Sequence, residues 1–97
     1  MNQINQVSNF EQANKNSMRL YDKPLLISTR KHKKYMILND NNKYIHFGDN
    51  RYQDFLKTGD NVKRSLYLKR ALKLNSDFND IYNPNVLSIR LLWNGTV

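Results

Sequence analysis

Two apolar runs joined by turn-forming residues predict a β-hairpin in the middle of the chain. The runs are residues 35–38 and 43–47, and the segment Asn39–Asn42 between them contains only Asn and Asp, which tolerate left-handed backbone. A shorter run at residues 25–29, which includes β-branched members, predicts a further strand before the hairpin. Because hairpin strands run antiparallel, we expect a small antiparallel sheet from residues 25–48.

Start signals for further elements follow the predicted sheet. Asp60 can cap a helix over about residues 61–74, and Asn83-Pro84 can open a second element, with Asn as the cap and Pro as the first helical residue. Residues 86–93 are the densest apolar stretch of the chain, so we expect them at the centre of the core. The predicted fold class is α+β: a small antiparallel sheet, with its hairpin near residues 35–47, packed on one main helix (about 61–74) and a C-terminal apolar helix or strand.

The predicted main helix has an apolar side and a basic side when its residues are placed about 100° apart. Arg64 intrudes on the apolar side, where it should meet a carboxylate or lie over an aromatic ring, because an unpaired buried charge is costly. The apolar side comprises Tyr67, Leu68, Ala71, Leu72 and Leu74, and the basic side comprises Lys63, Lys69, Arg70 and Lys73.

The beginning of the chain differs in composition from the rest. Residues 1–23 contain five Asn and three Gln with scattered apolar residues, and Asn is a poor helix former. We therefore divide the chain into a polar tail, residues 1–23, and a single small basic domain, residues 24–97. Two interpretations of the tail stay open: a disordered lead, or an arm that becomes ordered on a neighbouring surface.

Charge is the strongest compositional signal. The 97 residues include 16 Lys and Arg against 8 Asp and Glu, a formal net charge of +8, and such a field attracts phosphates or acidic protein surfaces.

Cys is absent, which excludes disulfides and thiolate metal sites. The opening residues lack the basic flank and apolar run of a signal peptide, and no apolar run approaches the roughly 20 residues of a membrane span. We therefore expect an intracellular protein without a membrane partner or a small-molecule substrate.

The best candidate for a binding site is the cationic run at residues 30–34. Lys and Arg side chains there would neutralise phosphates and release counterions, and the adjacent Tyr35 would stack on a base. The basic side of the main helix would extend this patch if the two lie side by side. The alternative is a solvated hairpin edge, where Lys opposes unwanted strand pairing. The predicted nucleic-acid-binding residues are Arg30, Lys31, Lys33, Lys34, Tyr35, Lys63, Lys69, Arg70 and Lys73.

Residues suited to catalysis or metal binding are few. The chain has no Cys nucleophile, no Gly-rich phosphate loop and no paired carboxylates at a telling spacing. We therefore predict no enzyme, no cofactor and no metal site. Of the two histidines, His32 is expected in solvent and His46 in a packed or hydrogen-bonded position. The third choice is a small metal-dependent nuclease built on His46, Asp49 and Asp54.

Short motifs follow one another between residues 25 and 93: Ser28–Tyr35, Ile45–Asp49, Tyr52–Phe55, Asp60 with Arg64, Tyr67 and Arg70, Pro84–Ser88, and Leu92-Trp93. Together they resemble an uncharacterised family of small basic proteins that large double-stranded DNA viruses encode. The resemblance covers about 70% of the chain. Its most specific pieces are Ile-His-Phe-Gly and the final Leu-Trp.

The resemblance implies a viral setting and carries no catalytic residue. We therefore expect a non-enzymatic structural protein of the virion, present in the host cytoplasm or nucleus during infection, that binds nucleic acid or acidic viral structural proteins through its basic face. The alternative is a minor capsid or cement protein held by protein contacts alone. The motif residues would also act as scaffold, with carboxylates Asp49, Asp54 and Asp60 pairing with Arg64 and Arg70 around Tyr67 and Trp93.

Overall fold

The fold class is α+β, as predicted. The computed structural model describes residues 3–74 and 76–96. A short 3-10 helix at Gln3–Gln6 precedes α1 (Phe10–Tyr21), the strands are β1 (Leu26–Ile27), β2 (Lys33–Leu38) and β3 (Tyr44–Asp49), and the later helices are α2 (Phe55–Thr58), α3 (Asn61–Ala71) and α4 (Pro84–Leu92). Within the described ranges, no helix combines the length and apolarity needed to cross a membrane.

The three strands form one antiparallel sheet in the order β1-β2-β3. The predicted hairpin joins β2 to β3, and its turn is built by Asn side chains. The Asn39 Oδ1 atom accepts hydrogen bonds from the backbone N–H groups of Asn41 and Lys43, both at 2.9 Å. Asn42 adopts a φ of 61°, the left-handed conformation that Asn accepts at little cost. The local chemistry of this turn therefore sets the register of the sheet.

The core lies between the sheet and α4. Tyr35 of β2 and Phe47 of β3 are opposite each other and fully buried, with ring centroids 5.9 Å apart. Helix α4 packs against β3 and contributes most of its side chains to the interior. Its start matches the predicted signal, because Asn83 caps the helix by accepting from the N–H of Asn85 at 2.8 Å. The C-terminal apolar segment is therefore a helix at the centre of the core.

Helix α3 lies beside the core and covers less of it than expected. It ends at Ala71, whereas the predicted helix extended to residue 74. Ala71 is buried, but Leu72 and Leu74, which were assigned to the apolar side, are exposed. The difference arises because α4, most of whose side chains are buried, takes the place against the sheet, while α3 packs along α2 and α4.

The described part of the predicted polar tail belongs to the core. Helix α1 begins at the cap Asn9, whose side chain accepts from the N–H of Gln12 at 3.1 Å. Ala13 and Tyr21 of this helix are buried with the core residues. The buried Asn16 donates from its amide to the Leu91 carbonyl of α4 at 2.9 Å. A disordered lead is therefore the wrong interpretation, since small polar side chains on one helix face are satisfied by backbone groups of the body.

A glycine allows the end of β3 to approach α4. Gly48 has a φ of 78°, and a Cβ atom at this position would lie 3.0 Å from the Leu92 Cδ1 atom and 3.1 Å from the Lys34 Cβ atom. Gly59 has a similar φ of 61° but no heavy atom within 4 Å of such a Cβ. Both glycines therefore adopt a positive φ, but only Gly48 has neighbouring side chains close to the position of an added Cβ atom.

We predict that Ala13→Gln lowers the free energy of unfolding by about 2 kcal/mol or more, because it forces a larger polar side chain into the core. The matched variant Met18→Gln lies on the exposed side of the same helix and should change the value by less than about 0.5 kcal/mol. Urea unfolding followed by circular dichroism measures both. Equal, small effects would show that α1 is not part of the folded unit.

We also predict that Gly48→Ala destabilises the protein by about 1 kcal/mol more than Gly59→Ala does. Both substitutions place a side chain at positive φ, so their difference isolates the crowding by Leu92 and Lys34. Thermal unfolding of the two variants beside the parent provides the comparison, and identical losses would contradict the predicted packing.

Candidate functional site

A buried ion pair joins three separate segments of the chain. The Lys34 Nζ atom of β2 lies 3.1 Å from the Asp54 Oδ2 atom, and the two side chains are only 3% and 1% exposed. The Tyr35 hydroxyl donates to the Ser8 Oγ atom at 2.7 Å, and the Ser8 side chain bonds in turn to Asp54. The Asp54 carboxylate also caps α2 by accepting from the N–H of Lys57 at 3.2 Å.

Burial dominates the ionisation of this network. It raises the pKa of Asp54, although the Lys34 ammonium and the Ser8 hydroxyl oppose the shift. Burial likewise lowers the pKa of Lys34 against the attraction of Asp54, and it raises the pKa of the Tyr35 hydroxyl. Each charge is therefore stabilised chiefly by its partner, because water is excluded from both.

Lys34 and Tyr35 were predicted to bind nucleic acid, and the structure corrects both assignments. The Lys34 ammonium is held by Asp54 and has almost no contact with solvent. The Tyr35 ring is fully buried between Phe10 and Phe47, with centroid distances of 6.1 and 5.9 Å. A phosphate cannot reach the first side chain, and a base cannot stack on the second.

A cleft of about 790 Å³ opens above this network. It is lined by the ends of β2 and β3 that lie away from the hairpin turn, by residues 51–53, and by residues of α3 and α4. Two aromatic rings lie in the cleft wall: Tyr67 of α3 and Trp93 are stacked with centroids 4.1 Å apart and an interplanar angle of 10°. The cleft lining therefore includes aromatic side chains as well as polar groups.

Helix α3 is fixed to α4 by side-chain contacts with backbone carbonyls. The Arg64 guanidinium donates to the carbonyl oxygens of Trp93 and Asn94 at 2.9 and 2.8 Å, and it lies 5.7 Å from the centroid of the Phe55 ring. The Asn85 amide donates to the Ala71 carbonyl at 3.1 Å. Of the two environments predicted for Arg64, a carboxylate or an aromatic ring, the structure shows the aromatic ring. The hydrogen bonds of Arg64 and Asn85 hold α3 against α4.

Cations predominate in the cleft. Among the described residues that line it, five are Lys or Arg, and Asp49 is the single carboxylate. Asp49 is occupied by Arg51, whose Nε and Nη2 atoms donate to its two oxygens at 2.9 and 2.8 Å. These bonds hold the pKa of Asp49 at about 2. The three cations without an ion-pair partner among the described residues are Lys33, Lys63 and Arg70.

The predicted binding residues are only partly brought together. Lys33 from the cationic run and two side chains of α3, Lys63 and Arg70, line the same cleft, with Lys34 beneath them. Four further predicted residues are exposed but lie outside the cleft lining: Arg30, Lys31, Lys69 and Lys73.

Sequence reasoning missed four side chains of the site. Arg51, Tyr52, Tyr67 and Trp93 all line the cleft, whereas the sequence suggested only a scaffold role for the two stacked rings. The detectable signal was the pair Arg51-Tyr52, which follows shortly after the end of β3. A cation and an aromatic residue adjacent in a loop are exposed together, and Tyr52 is 67% exposed.

The residues of the nuclease alternative have other partners. The His46 Nδ1 atom lies 2.7 Å from the Ser28 Oγ atom, and burial, with the nearby charges of Arg30 and Lys33, lowers the pKa of His46. Asp49 and Asp54 are bound by Arg51 and Lys34. No group of three or more His, Cys, Asp or Glu side chains suited to a metal is present in the part of the chain that the structure describes.

The scaffold predicted from the motif residues is wrong in its pairing. The cations that bind Asp49 and Asp54 are Arg51 and Lys34. Asp60 instead caps α3, accepting from the N–H groups of Val62 and Lys63 at 2.9 and 3.1 Å. The predicted partners Arg64 and Arg70 make no ion pair with a described residue.

Comparison with known proteins gives one family match. The model of a family of unknown function (DUF5754) matches residues 24–71. This segment contains the three strands, α2 and α3 and all five cleft cations, but not α1, α4 or Trp93. No curated protein and no solved structure matches the chain. The match assigns no activity, and the viral setting stays a prediction.

We predict that Lys34→Met and Asp54→Asn each lower the free energy of unfolding by about 3–5 kcal/mol, because each leaves a buried charge without its partner. The double variant should lose much less than the sum of the two, since no isolated charge remains. Asn at position 54 keeps a side-chain acceptor for the α2 cap.

Chemical unfolding of the four proteins gives the coupling free energy, and circular dichroism shows whether the double variant folds where a single variant does not. The exposed pair provides the control: Arg51→Met and Asp49→Asn should each change stability by about 1 kcal/mol or less. If the double variant loses as much stability as the two single variants together, the prediction that each charge depends on its partner is wrong.

Proposed function

We propose that this protein is a non-enzymatic nucleic-acid-binding protein and that the cleft is its binding site. The observation that carries the proposal is the convergence of three unpaired cations, Lys33, Lys63 and Arg70, on one cleft that also contains aromatic rings. Cations alone are common on protein surfaces, but this combination matches both chemical parts of a nucleotide, the phosphate and the base.

The electrostatics of the cleft favour a polyanion. Lys33 and the α3 cations come from separate elements, so their charges act on one ligand only because the fold places them together. Each phosphate that such a side chain neutralises releases counterions, which makes the affinity strongly dependent on salt. The net charge of +8 adds long-range attraction that speeds association.

The biological setting that we propose is a viral one. The motifs between residues 25 and 93 resemble small basic proteins of large double-stranded DNA viruses, and a compact basic protein there would serve as a structural component of the virion. Its partner would be the genome in the particle, or nucleic acid in the host cytoplasm or nucleus during infection.

The second candidate is a minor capsid or cement protein held by protein contacts. Exposed apolar side chains on and after α3 favour it: Val62 is 70% exposed, and Leu66, Leu72 and Leu74 are also exposed. Apolar groups concentrated on a surface mark protein contacts more often than nucleic-acid contacts. Such a protein would bind acidic viral structural proteins and would have little affinity for free nucleic acid.

A salt-titrated gel shift with two triple variants tests the proposal. The cleft variant carries Lys33→Gln, Lys63→Gln and Arg70→Gln. We predict that it binds oligonucleotides more weakly than the parent and that the slope of log affinity against log salt falls by about two to three, because up to three phosphate contacts are lost.

The matched control changes the same number of charges outside the cleft: Lys31→Gln, Lys69→Gln and Lys73→Gln. It should retain most of the affinity and most of the salt slope. Equal losses in the two variants would mean that general charge, not the cleft, attracts nucleic acid. Absence of binding by the parent protein would favour the second candidate.

A further inference from the structure

The shape of the cleft suits unpaired nucleic acid better than a duplex. Its volume of about 790 Å³ falls within the roughly 300–1,000 Å³ of pockets that enclose small ligands. A duplex presents phosphates on a convex surface and keeps its bases paired and stacked inside, so it has no group that enters such a cleft. A single strand can turn a base outward and insert it.

The aromatic side chains of the cleft are placed to contact bases. Tyr52, 67% exposed, lines the cleft from the loop after β3, and the stacked rings of Tyr67 and Trp93 form another part of the lining. Leu66, also exposed, extends the apolar surface beside them. Every base has a π-face, so contacts of this kind bind unpaired bases with little regard to sequence.

The cations are arranged to follow a backbone around those rings. Lys63 and Arg70 are seven residues apart on α3, which places them about 10 Å apart along the helix axis. Lys33, which comes from β2, lines the same cleft. A strand that lies in the cleft therefore meets cations from two separate elements while its bases reach the aromatic wall.

We propose, on the basis of the function proposed above, that the ligand of the cleft is single-stranded nucleic acid, with unpaired bases against both Tyr52 and the Tyr67–Trp93 stack and its phosphates on Lys33, Lys63 and Arg70. The chemistry is the same for deoxyribose and ribose strands, and the experiment below separates the two.

Trp93 provides the signal for the test, since it is the only Trp in the sequence and lies in the cleft wall. The intact protein is titrated at one salt concentration with four probes, and Trp fluorescence is recorded. The probes are an oligo-dT strand, an oligo-U strand, a hairpin duplex of equal nucleotide number and inorganic polyphosphate.

We expect at least one single strand to alter Trp93 fluorescence and to bind about tenfold or more tightly than the hairpin and polyphosphate. The tighter of the two strands identifies the preferred sugar.

Two tyrosine variants separate stacking from charge. Tyr52→Ala should weaken single-strand binding about tenfold, whereas Tyr44→Ala, which removes an exposed ring of β3 outside the cleft lining, should leave it unchanged. Neither ring is buried, so both variants should fold.

The outcomes distinguish this inference from the function on which it rests. Equal or tighter binding of the hairpin or polyphosphate, or no effect of Tyr52→Ala, would overturn the single-strand inference. The proposed function would survive that result if the cleft triple variant still weakened binding. If none of the probes binds, both the single-strand inference and the proposed function are wrong.

Discussion

The buried contact between Lys34 and Asp54 is the constraint on which the site depends. A charge without water is tolerated only beside its partner, and here the partners come from β2 and from the cap of α2, with Ser8 of the N-terminal segment bonded to the carboxylate. The three segments therefore have to dock together. The polar groups of this network are all satisfied in this arrangement, and the cleft is the surface that the arrangement leaves open.

The distribution of acidic residues explains why the cleft remains positive. Glu11, Asp40, Asp49 and Asp54 each form an ion pair with a described Lys or Arg other than Lys33, Lys63 and Arg70. Three others, Asp60, Asp77 and Asp80, accept N–H groups in a cap and in turns. These acidic side chains are thus occupied by structural contacts, and the excess of Lys and Arg stays available for a ligand.

The sequence predicted the elements whose signals are local. The Asn-rich turn, the Asp60 cap and Asn83-Pro84 each act within a few residues, and each was found where expected. The burial of Lys34 and Tyr35 depends on a partner twenty residues away, Asp54, and on Ser8, twenty-seven residues from Tyr35, so no local pattern reveals it. The cleft likewise needs Trp93 beside Tyr67, a proximity set by the packing of α3 on α4. The polar composition of residues 1–23 wrongly suggested a tail outside the core. In α1, buried Asn and Ser side chains form hydrogen bonds with backbone groups of the rest of the protein.

The central position of α4 affects how the chain reaches its native state during synthesis. Translation proceeds from the N-terminus at about 5–20 residues per second, so the hairpin and α1 leave the ribosome well before α4. Until then β3 has no cover and Asn16 lacks the Leu91 carbonyl that it binds. The nascent polypeptide consequently carries exposed apolar surface for several seconds, and completion of the core is deferred to the emergence of this single helix.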